Sequence, residues 1–218
     1  MLRQLGWYHD LVETLEMHLR AEGAALRSRF GLRTVLIHLA IIAVFGVWWP
    51  HLRGMEFFDP VFLTAYTCLG VLFAGPAAAQ SFQDRPESMR QAMARIFWSV
   101  FYGESVALII VAGGIFTVLR THPPIGPDWT GLIDAALLGL AGTVAMASLA
   151  AWFAIRFSPG AARMALRGLF IGLLLLFFFK SRWLPEVTGR GTSICAGIAI
   201  LAMFAMQRAI RVGAGPPH

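Results

Sequence analysis

Glu104 is the one acidic residue in the apolar segment 93–119. If this segment is a helix that crosses a bilayer, its rise of 1.5 Å per residue places Glu104 roughly 16 Å along it, near the midplane. A carboxylate at that depth costs a few kcal/mol unless it is paired or faces water. Glu104 is therefore either a candidate substrate or proton site facing a cavity, or a carboxyl group satisfied inside the bundle by Thr64 or Thr67.

A group of polar residues breaks the apolar pattern at residues 80–96, "QSFQDRPESMRQAMARI". Asp84 can accept hydrogen bonds from the amides of the next turn, and Glu87 three residues later completes a D-x-x-E capping arrangement. The proline between them is tolerated in a first helical turn. The spacing therefore predicts a short capped helix that continues into the next apolar segment and exposes Met89 and Met93 as one apolar spot. This feature is either a docking point for a partner or an ordinary hairpin turn.

The elements that must position these residues are membrane-spanning helices. The chain is 57% hydrophobic and 14% charged, and its mean hydropathy of +0.66 lies outside the usual balance of soluble proteins. The apolar runs are too long and uniform for barrel strands, so an all-α, polytopic membrane protein is expected. The six predicted transmembrane helices cover residues 33–50, 58–82, 93–119, 130–155, 161–180 and 191–211. Within the second, Gly75 and Pro76 predict a kink.

The N-terminal residues form a different kind of helix. Over residues 2–26, apolar side chains fall along one side at about 100° per residue and charged ones along the other. Such a segment is too polar to span a membrane, which predicts an amphipathic interfacial helix; the alternative is a helix packed on a neighbouring subunit. The chain then divides into this helix (1–32), a six-span membrane domain (33–211) and a C-terminal tail (212–218).

The distribution of basic residues predicts the orientation. With six spans, most of the 18 Lys and Arg residues fall on the same side as the N-terminus, which favours two cytoplasmic termini in a cell inner (plasma) membrane. The net charge of +6 and the pI near 10.3 do not indicate nucleic-acid binding, because the basic residues are not gathered into one stripe. The two cysteines, Cys68 and Cys195, have no zinc-like spacing, so no metal site is expected.

The order of these elements resembles the permease (transmembrane) subunits of type II ATP-binding-cassette exporters. The segment "FLTAYTCLGVLFAGPAAAQSFQDR" is similar to the second span of that family, which runs through small residues into a charged cluster. In the family, the amphipathic helix is the elbow helix, and the first cytoplasmic loop is the coupling helix that inserts into the ATPase. The resemblance implies that the coupling helix begins with Gln83, Asp84, Arg85 and Glu87, and that Met89, Arg90 and Met93 face the ATPase.

The ATP-hydrolysing chemistry is expected on another chain. No phosphate-binding G-x-x-x-x-G-K-[ST] motif occurs here, and the single lysine is Lys180. The resemblance implies Mg-ATP on a separate ATP-binding subunit, no cofactor in this chain, and a homodimer or heterodimer of membrane subunits that exports a substrate by alternating access through the loop 82–95. The main rival is a non-transporting subunit that anchors or scaffolds a larger membrane complex. An enzyme acting on lipid or isoprenoid substrates ranks third, because Asp, His and Cys are not clustered.

Overall fold

The structure is a computed structural model that describes residues 2–28, 31–122, 129–158, 160–161, 164–169, 171–172 and 184–213. Every regular element within these ranges is helical, which confirms the all-α class. Five stretches are long and apolar enough to cross a membrane: Leu32–Phe58, Pro60–Ser81, Met89–Thr121, Trp129–Arg156 and Gly189–Arg211.

These five stretches correspond to five of the six predicted spans, with ends that shift by a few residues. The first one is longer than expected, because helical turns continue from residue 50 to Phe58. The predicted span 161–180 lies largely outside the described residues, although those at 160–161, 164–169 and 171–172 are helical. The predicted span 161–180, the membrane-surface position of the N-terminal helix and the sidedness of the termini stay predictions.

The first span is not one regular helix. The N-terminal helix α1 (Leu2–Ser28) precedes it. The span consists of α2 (Leu32–Ala43), a π-helical turn (Val44–Trp48), α3 (Trp49–Arg53) and a 3-10 turn (Gly54–Phe58).

Pro50 and Gly46 mark the irregular turns of this span. Pro50 has no amide hydrogen, so it cannot donate to the carbonyl of Gly46 four residues earlier. Thr117 Oγ1, in the third span, lies 3.3 Å from that carbonyl oxygen and 2.8 Å from the carbonyl oxygen of Gly113, so its one proton is shared between them. The irregular turn therefore has a polar partner inside the bundle, as a chain in hydrocarbon requires.

The other described helices are longer and more regular. They are α4 (Pro60–Thr67), α5 (Leu69–Ser81), α6 (Met89–Thr121), α7 (Trp129–Arg156) and α8 (Leu184–Gly213). The second span contains α4 and α5, which are separated at Cys68. Helix α5 continues through Gly75 and Pro76, and the break in the second span lies at Cys68, so the kink at Gly75 and Pro76 stays a prediction.

Glycines bring the second span (α4 and α5) into close contact with α6 and α7. A Cβ atom at Gly103 of α6 would lie 2.6 Å from the carbonyl oxygen of Gly70 in the second span. A Cβ atom at Gly139 of α7 would lie 2.5 Å from the carbonyl oxygen of Thr67. Since real Cβ atoms do not approach so closely, these positions require glycine, and the backbones pack as small-residue membrane interfaces do.

Two apolar clusters fill the bundle at its opposite ends. One is rich in alanine and lies beside the connection between α5 and α6; we call it the alanine cluster. Its buried members include Ala74, Ala78, Ala79, Phe82, Ala92, Ala147, Ala150, Ala151, Ala154 and Met206. The other, which we call the aromatic cluster, lies beside the turn that joins the first two spans. It contains Phe57, Phe58, Leu63, Tyr66, Val106, Ile110, Val111, Val118 and Ala135.

Candidate functional site

The loop between α5 and α6 ends in a helix cap that differs from the predicted one. Helix α6 begins at Met89, and the Oγ of Ser88 accepts a hydrogen bond from the amide of Gln91 at 3.2 Å. The Gln91 side chain reaches back and accepts from the amide of Glu87 at 2.9 Å. The prediction that Asp84 caps this helix is therefore wrong; an S-x-x-Q arrangement does so instead.

Pro86 supplies the physical reason for the later start. A residue that precedes proline is disfavoured in the α conformation, because the proline ring clashes with its backbone and Cβ. A cap at Asp84 would make Arg85 the first helical residue, directly before Pro86. The chain therefore stays irregular through Pro86 and enters the helix only after Ser88.

Arg95 joins this loop to the N-terminal helix. Its guanidinium Nε donates to Oε1 of Glu22 in α1 at 2.8 Å, and the two side chains are only 9% and 13% exposed. Its Nη1 donates to the carbonyl oxygen of Asp84 at 2.5 Å, and the guanidinium lies 5.6 Å from the centre of the Phe82 ring. Gln91 adds a 3.2 Å hydrogen bond to Glu22. This buried cation is thus paired, as burial of a charge requires.

Arg85 joins the same loop to the last helix. Its Nη2 donates to the carbonyl oxygen of Ala209 at 2.7 Å, one turn before the end of α8. A cation is favourable at this position because helix carbonyls carry negative partial charge toward the C-terminus. We use "the junction" for residues 82–93 together with Glu22 and Arg95.

The helix α1 also packs directly on α6. The indole Nε1 of Trp98 donates to the carbonyl oxygen of Leu19 at 2.7 Å. Gly23 lies so close to this ring that a Cβ atom there would be 2.8 Å from it. The contact therefore needs a glycine next to Glu22, and α1 packs on α6 of the same chain.

Most of the loop residues expected to face a partner are exposed. These are Gln83, Asp84, Arg85, Glu87 and Arg90, together with Met93, which is 50% exposed. Met89 differs, because it is half-buried and packs on the alanine cluster. The expected single spot of two exposed methionines is therefore wrong. Residues four apart point about 40° away from each other on a helix, and at the start of α6 that is enough to turn Met89 inward.

Glu104 lies near the middle of α6, and three helices meet around it. A Cβ atom at Gly70 would lie 2.8 Å from Oε1 of Glu104 and 2.7 Å from Oγ1 of Thr143 in α7. Both oxygens thus lie next to Gly70, and they fit there because glycine has no side chain. Glu104 Oε1 is buried and makes no hydrogen bond to the described residues.

The threonines expected as partners of Glu104 bond elsewhere. Thr64 Oγ1 donates to the carbonyl of Pro60 at 2.7 Å. Thr67 Oγ1 lies 2.8 Å from the carbonyl oxygen of Ala135 in α7, to which it donates. Neither hydroxyl donates to Glu104 in this structure, and the threonine hydroxyl that lies beside Glu104 is that of Thr143.

The hydroxyl of Thr143 sets what Glu104 can do. With its proton donated to the carbonyl oxygen of Gly139 at 2.8 Å, the Thr143 hydroxyl offers Glu104 an accepting oxygen; rotated, the same hydroxyl can donate to an ionised Glu104 instead. A protonated carboxyl group can donate to that oxygen, whereas an ionised carboxylate has no proton to give. The arrangement can hold a proton inside the bundle.

The sequence pattern missed the residues that join distant parts of the chain. Arg95 was visible as a charge at the start of an apolar segment, and Glu22 as a charge beside a glycine in an amphipathic helix. Their pairing could not be read from either pattern, because 73 positions separate them. Thr143 gave no signal beyond being a small polar residue among alanines and glycines.

The fold and these sites define a multi-pass helical membrane protein with a polar junction at one end and a buried carboxyl group in the middle. The chain matches no protein-family model, no curated protein and no solved structure. Within the described ranges, no group of three His, Cys, Asp or Glu residues could hold a metal ion.

Proposed function

We propose that this chain is the membrane-embedded permease subunit of an ATP-driven exporter and that a separate ATPase acts on it through the junction. The observation that supports the proposal is the bonding of one short loop to three helices. Arg95 connects the loop to α1 through Glu22, Ser88 starts α6, and Arg85 reaches the end of α8. A force on this loop would therefore move three helices together.

Helix α6 is the element that would carry such a movement into the membrane. It has 33 residues and runs without a break from Met89 to Thr121, so at 1.5 Å per residue it is about 50 Å long. Glu104 lies near its middle, against Gly70 of α5. A tilt of α6 would change the space around this carboxyl group, which is how rocking of packed helices opens and closes a site in alternating access.

The exposed part of the junction offers a surface for the ATPase. Asp84, Glu87 and Arg90 present charges of both signs, and Met93 adds an apolar side chain. A mixed surface of this kind suits a polar protein partner better than it suits lipid. Mg-ATP would be bound by that partner, since this chain contains no phosphate-binding loop.

Co-purification tests the partnership. The tagged chain is extracted from its native membranes in mild detergent, and captured chains are identified by mass spectrometry and assayed for ATP hydrolysis. We expect to capture an ATP-binding chain. Arg90→Glu and Met93→Asp should each lower its capture at least about tenfold, because both side chains lie on the exposed surface that would contact it. Met93 is a better test than Met89, which packs in the core.

Matched controls lie at the opposite end of the bundle. Leu52 is 60% exposed and Arg53 is also exposed, so Leu52→Asp and Arg53→Glu introduce the same changes away from the junction. These controls should keep full capture. If the junction variants retain the ATPase, or if no ATP-binding chain is captured, the export proposal is wrong. Stable capture of other membrane subunits through the same loop would instead identify the non-transporting scaffold.

Water access to position 104 tests whether Glu104 lies in an alternating-access pathway. In a chain whose two cysteines, Cys68 and Cys195, are replaced by alanine, Glu104→Cys is labelled with a membrane-impermeant thiol reagent in reconstituted vesicles. We expect the labelling rate to differ between the nucleotide-free complex and the complex trapped with ATP and vanadate. Leu108→Cys, on the exposed apolar face of α6, is the control and should label poorly in both states. Equal labelling of position 104 in both states would remove it from the pathway.

A further inference from the structure

A groove runs between α1 and α6, apart from the junction and from Glu104. It has a volume of about 520 Å³. Each wall is one helix face with residues at positions i, i+3, i+4 and i+7, the spacing that brings side chains to one side of a helix. The wall from α1 contains Arg20, Gly23, Ala24 and Arg27 with Leu26 beside them, and the wall from α6 contains Trp98, Phe101, Tyr102 and Ser105.

The charge of the groove is positive. Arg20 and Arg27 lie on its α1 wall, both are exposed, and no acidic side chain is among the described residues that line it. Arg20 also pairs with Glu16 at 2.5 Å on the exposed surface of α1. A guanidinium has five N–H donors, so this one contact leaves donors for an anion. Arginine binds phosphate groups well because its planar fork matches their oxygens.

The opposite wall is aromatic and continues into an exposed apolar face. Phe101 is 54% exposed, and Phe97 and Leu108 on neighbouring turns of α6 are 51% and 61% exposed. Trp98 is fixed in place by its hydrogen bond to Leu19, so the wall is preformed. A ligand in this groove would have its anionic part at the arginines and its apolar part along α6.

We propose that this groove binds an anionic phospholipid, with its phosphate at Arg20 and Arg27 and its acyl chains along Phe101 and the outer face of α6. Charge complementarity selects an anion, and the aromatic wall selects an amphiphile over a free phosphate ion. The position fits a lipid because the sequence of α1 is amphipathic and α1 comes just before the first candidate span in the chain. The proposal does not depend on the export function.

Fluorescence quenching by brominated lipids tests this site in the full-length protein. The chain is reconstituted in phosphatidylcholine vesicles that contain either brominated phosphatidylglycerol or brominated phosphatidylcholine. The signal of Trp98 is obtained by subtracting the emission of a Trp98→Phe variant. We expect phosphatidylglycerol to be preferred next to Trp98, with a loss of about fivefold in that preference for each arginine removed.

The charge variants and their controls are matched in number and type. Arg20→Gln with Arg27→Gln should abolish the preference, while Arg53→Gln with Arg120→Gln should leave it intact. If the first pair keeps the preference, the groove does not bind the headgroup. If both pairs reduce it equally, the effect is general attraction of anionic lipid to a basic protein, and the site is rejected.

A steric pair tests the groove without changing any charge. Ala24 lines it and Ala21 does not, and both are exposed. Ala24→Phe should therefore fill the groove and abolish the preference, whereas Ala21→Phe should not. Sodium phosphate added to the vesicles should leave the quenching by phosphatidylglycerol unchanged. If phosphate displaces the phosphatidylglycerol, the groove is a site for the free ion and the assignment to a lipid is overturned.

Discussion

The two ends of this bundle are held together by different means. At the aromatic cluster, rings interlock: Phe57 lies 4.8 Å from Tyr66 and 5.7 Å from Phe58, measured between ring centres. The Phe57 ring also fills the space over Gly114, where a Cβ atom would be 2.5 Å from it. At the alanine cluster, most side chains are short, and the helices are joined by hydrogen bonds from the side chains of Arg85 and Arg95.

This difference shows where the bundle can move. In a membrane, burial of apolar groups gives little net driving force between helices, so packing and hydrogen bonds hold them together. Interlocked rings resist sliding because close-packed cores do not deform continuously. Short alanine side chains present fewer ridges, and water or a partner protein can replace the polar contacts at the junction. We expect the aromatic cluster to act as a fixed point and the junction end to shift.

The largest expected effect is at the aromatic cluster. Phe57 is fully buried, so Phe57→Ala should lower the free energy of unfolding by about 4 kcal/mol, because the ring leaves a cavity that its neighbours cannot fill. Phe116→Ala is the control, since Phe116 is 63% exposed on α6 and should change it by less than about 0.5 kcal/mol. Titration with sodium dodecyl sulphate in mixed micelles measures both values. Equal losses would contradict the fixed-point interpretation.

The next largest effect is expected at the junction. Arg95→Met removes the cation that pairs with Glu22 and should cost about 3 kcal/mol, because a carboxylate that is 13% exposed is left without its partner. Adding Glu22→Gln should recover much of this loss, which a double-mutant cycle in the same micelles would show as a coupling energy. If the two single variants add without coupling, the ion pair does not hold α1 on α6.

The sequence predicted five of the apolar helices in the structure because their apolar length is a local property. The positions of Glu104 and of the exposed loop followed from the same pattern. What it could not predict depends on contacts between distant residues or on competition between local signals. The cap is an example of competition, since Asp84 and Glu87 fit one pattern and Ser88 and Gln91 fit another. Pro86 decides between them through the restriction it places on the residue before it.

The alanine-rich side should respond to added volume. Gly103→Ala would place a Cβ atom 2.6 Å from the Gly70 carbonyl oxygen and 2.8 Å from the Cβ of Ala74. Because one of these contacts is with backbone, we expect a loss of about 2 kcal/mol from forced separation of α5 and α6. Gly197→Ala in α8 has open space around it and should instead be neutral or slightly stabilising. A tolerated Gly103→Ala would show that this interface is looser than its glycines indicate.

The smallest effect separates the two possible caps of α6. Ser88→Ala removes the acceptor for the Gln91 amide and should cost about 1 kcal/mol, whereas Ser88→Asp should restore most of it. Asp84→Ala should cost almost nothing, because Asp84 contributes its backbone carbonyl to Arg95 while its side chain is exposed. Ser193→Ala, which removes a hydroxyl from the exposed surface of α8, controls for the loss of a serine. The cap fixes where α6 begins. A larger loss of stability for Asp84→Ala than for Ser88→Ala would therefore show that the rigid part of the junction is the loop and not the start of α6.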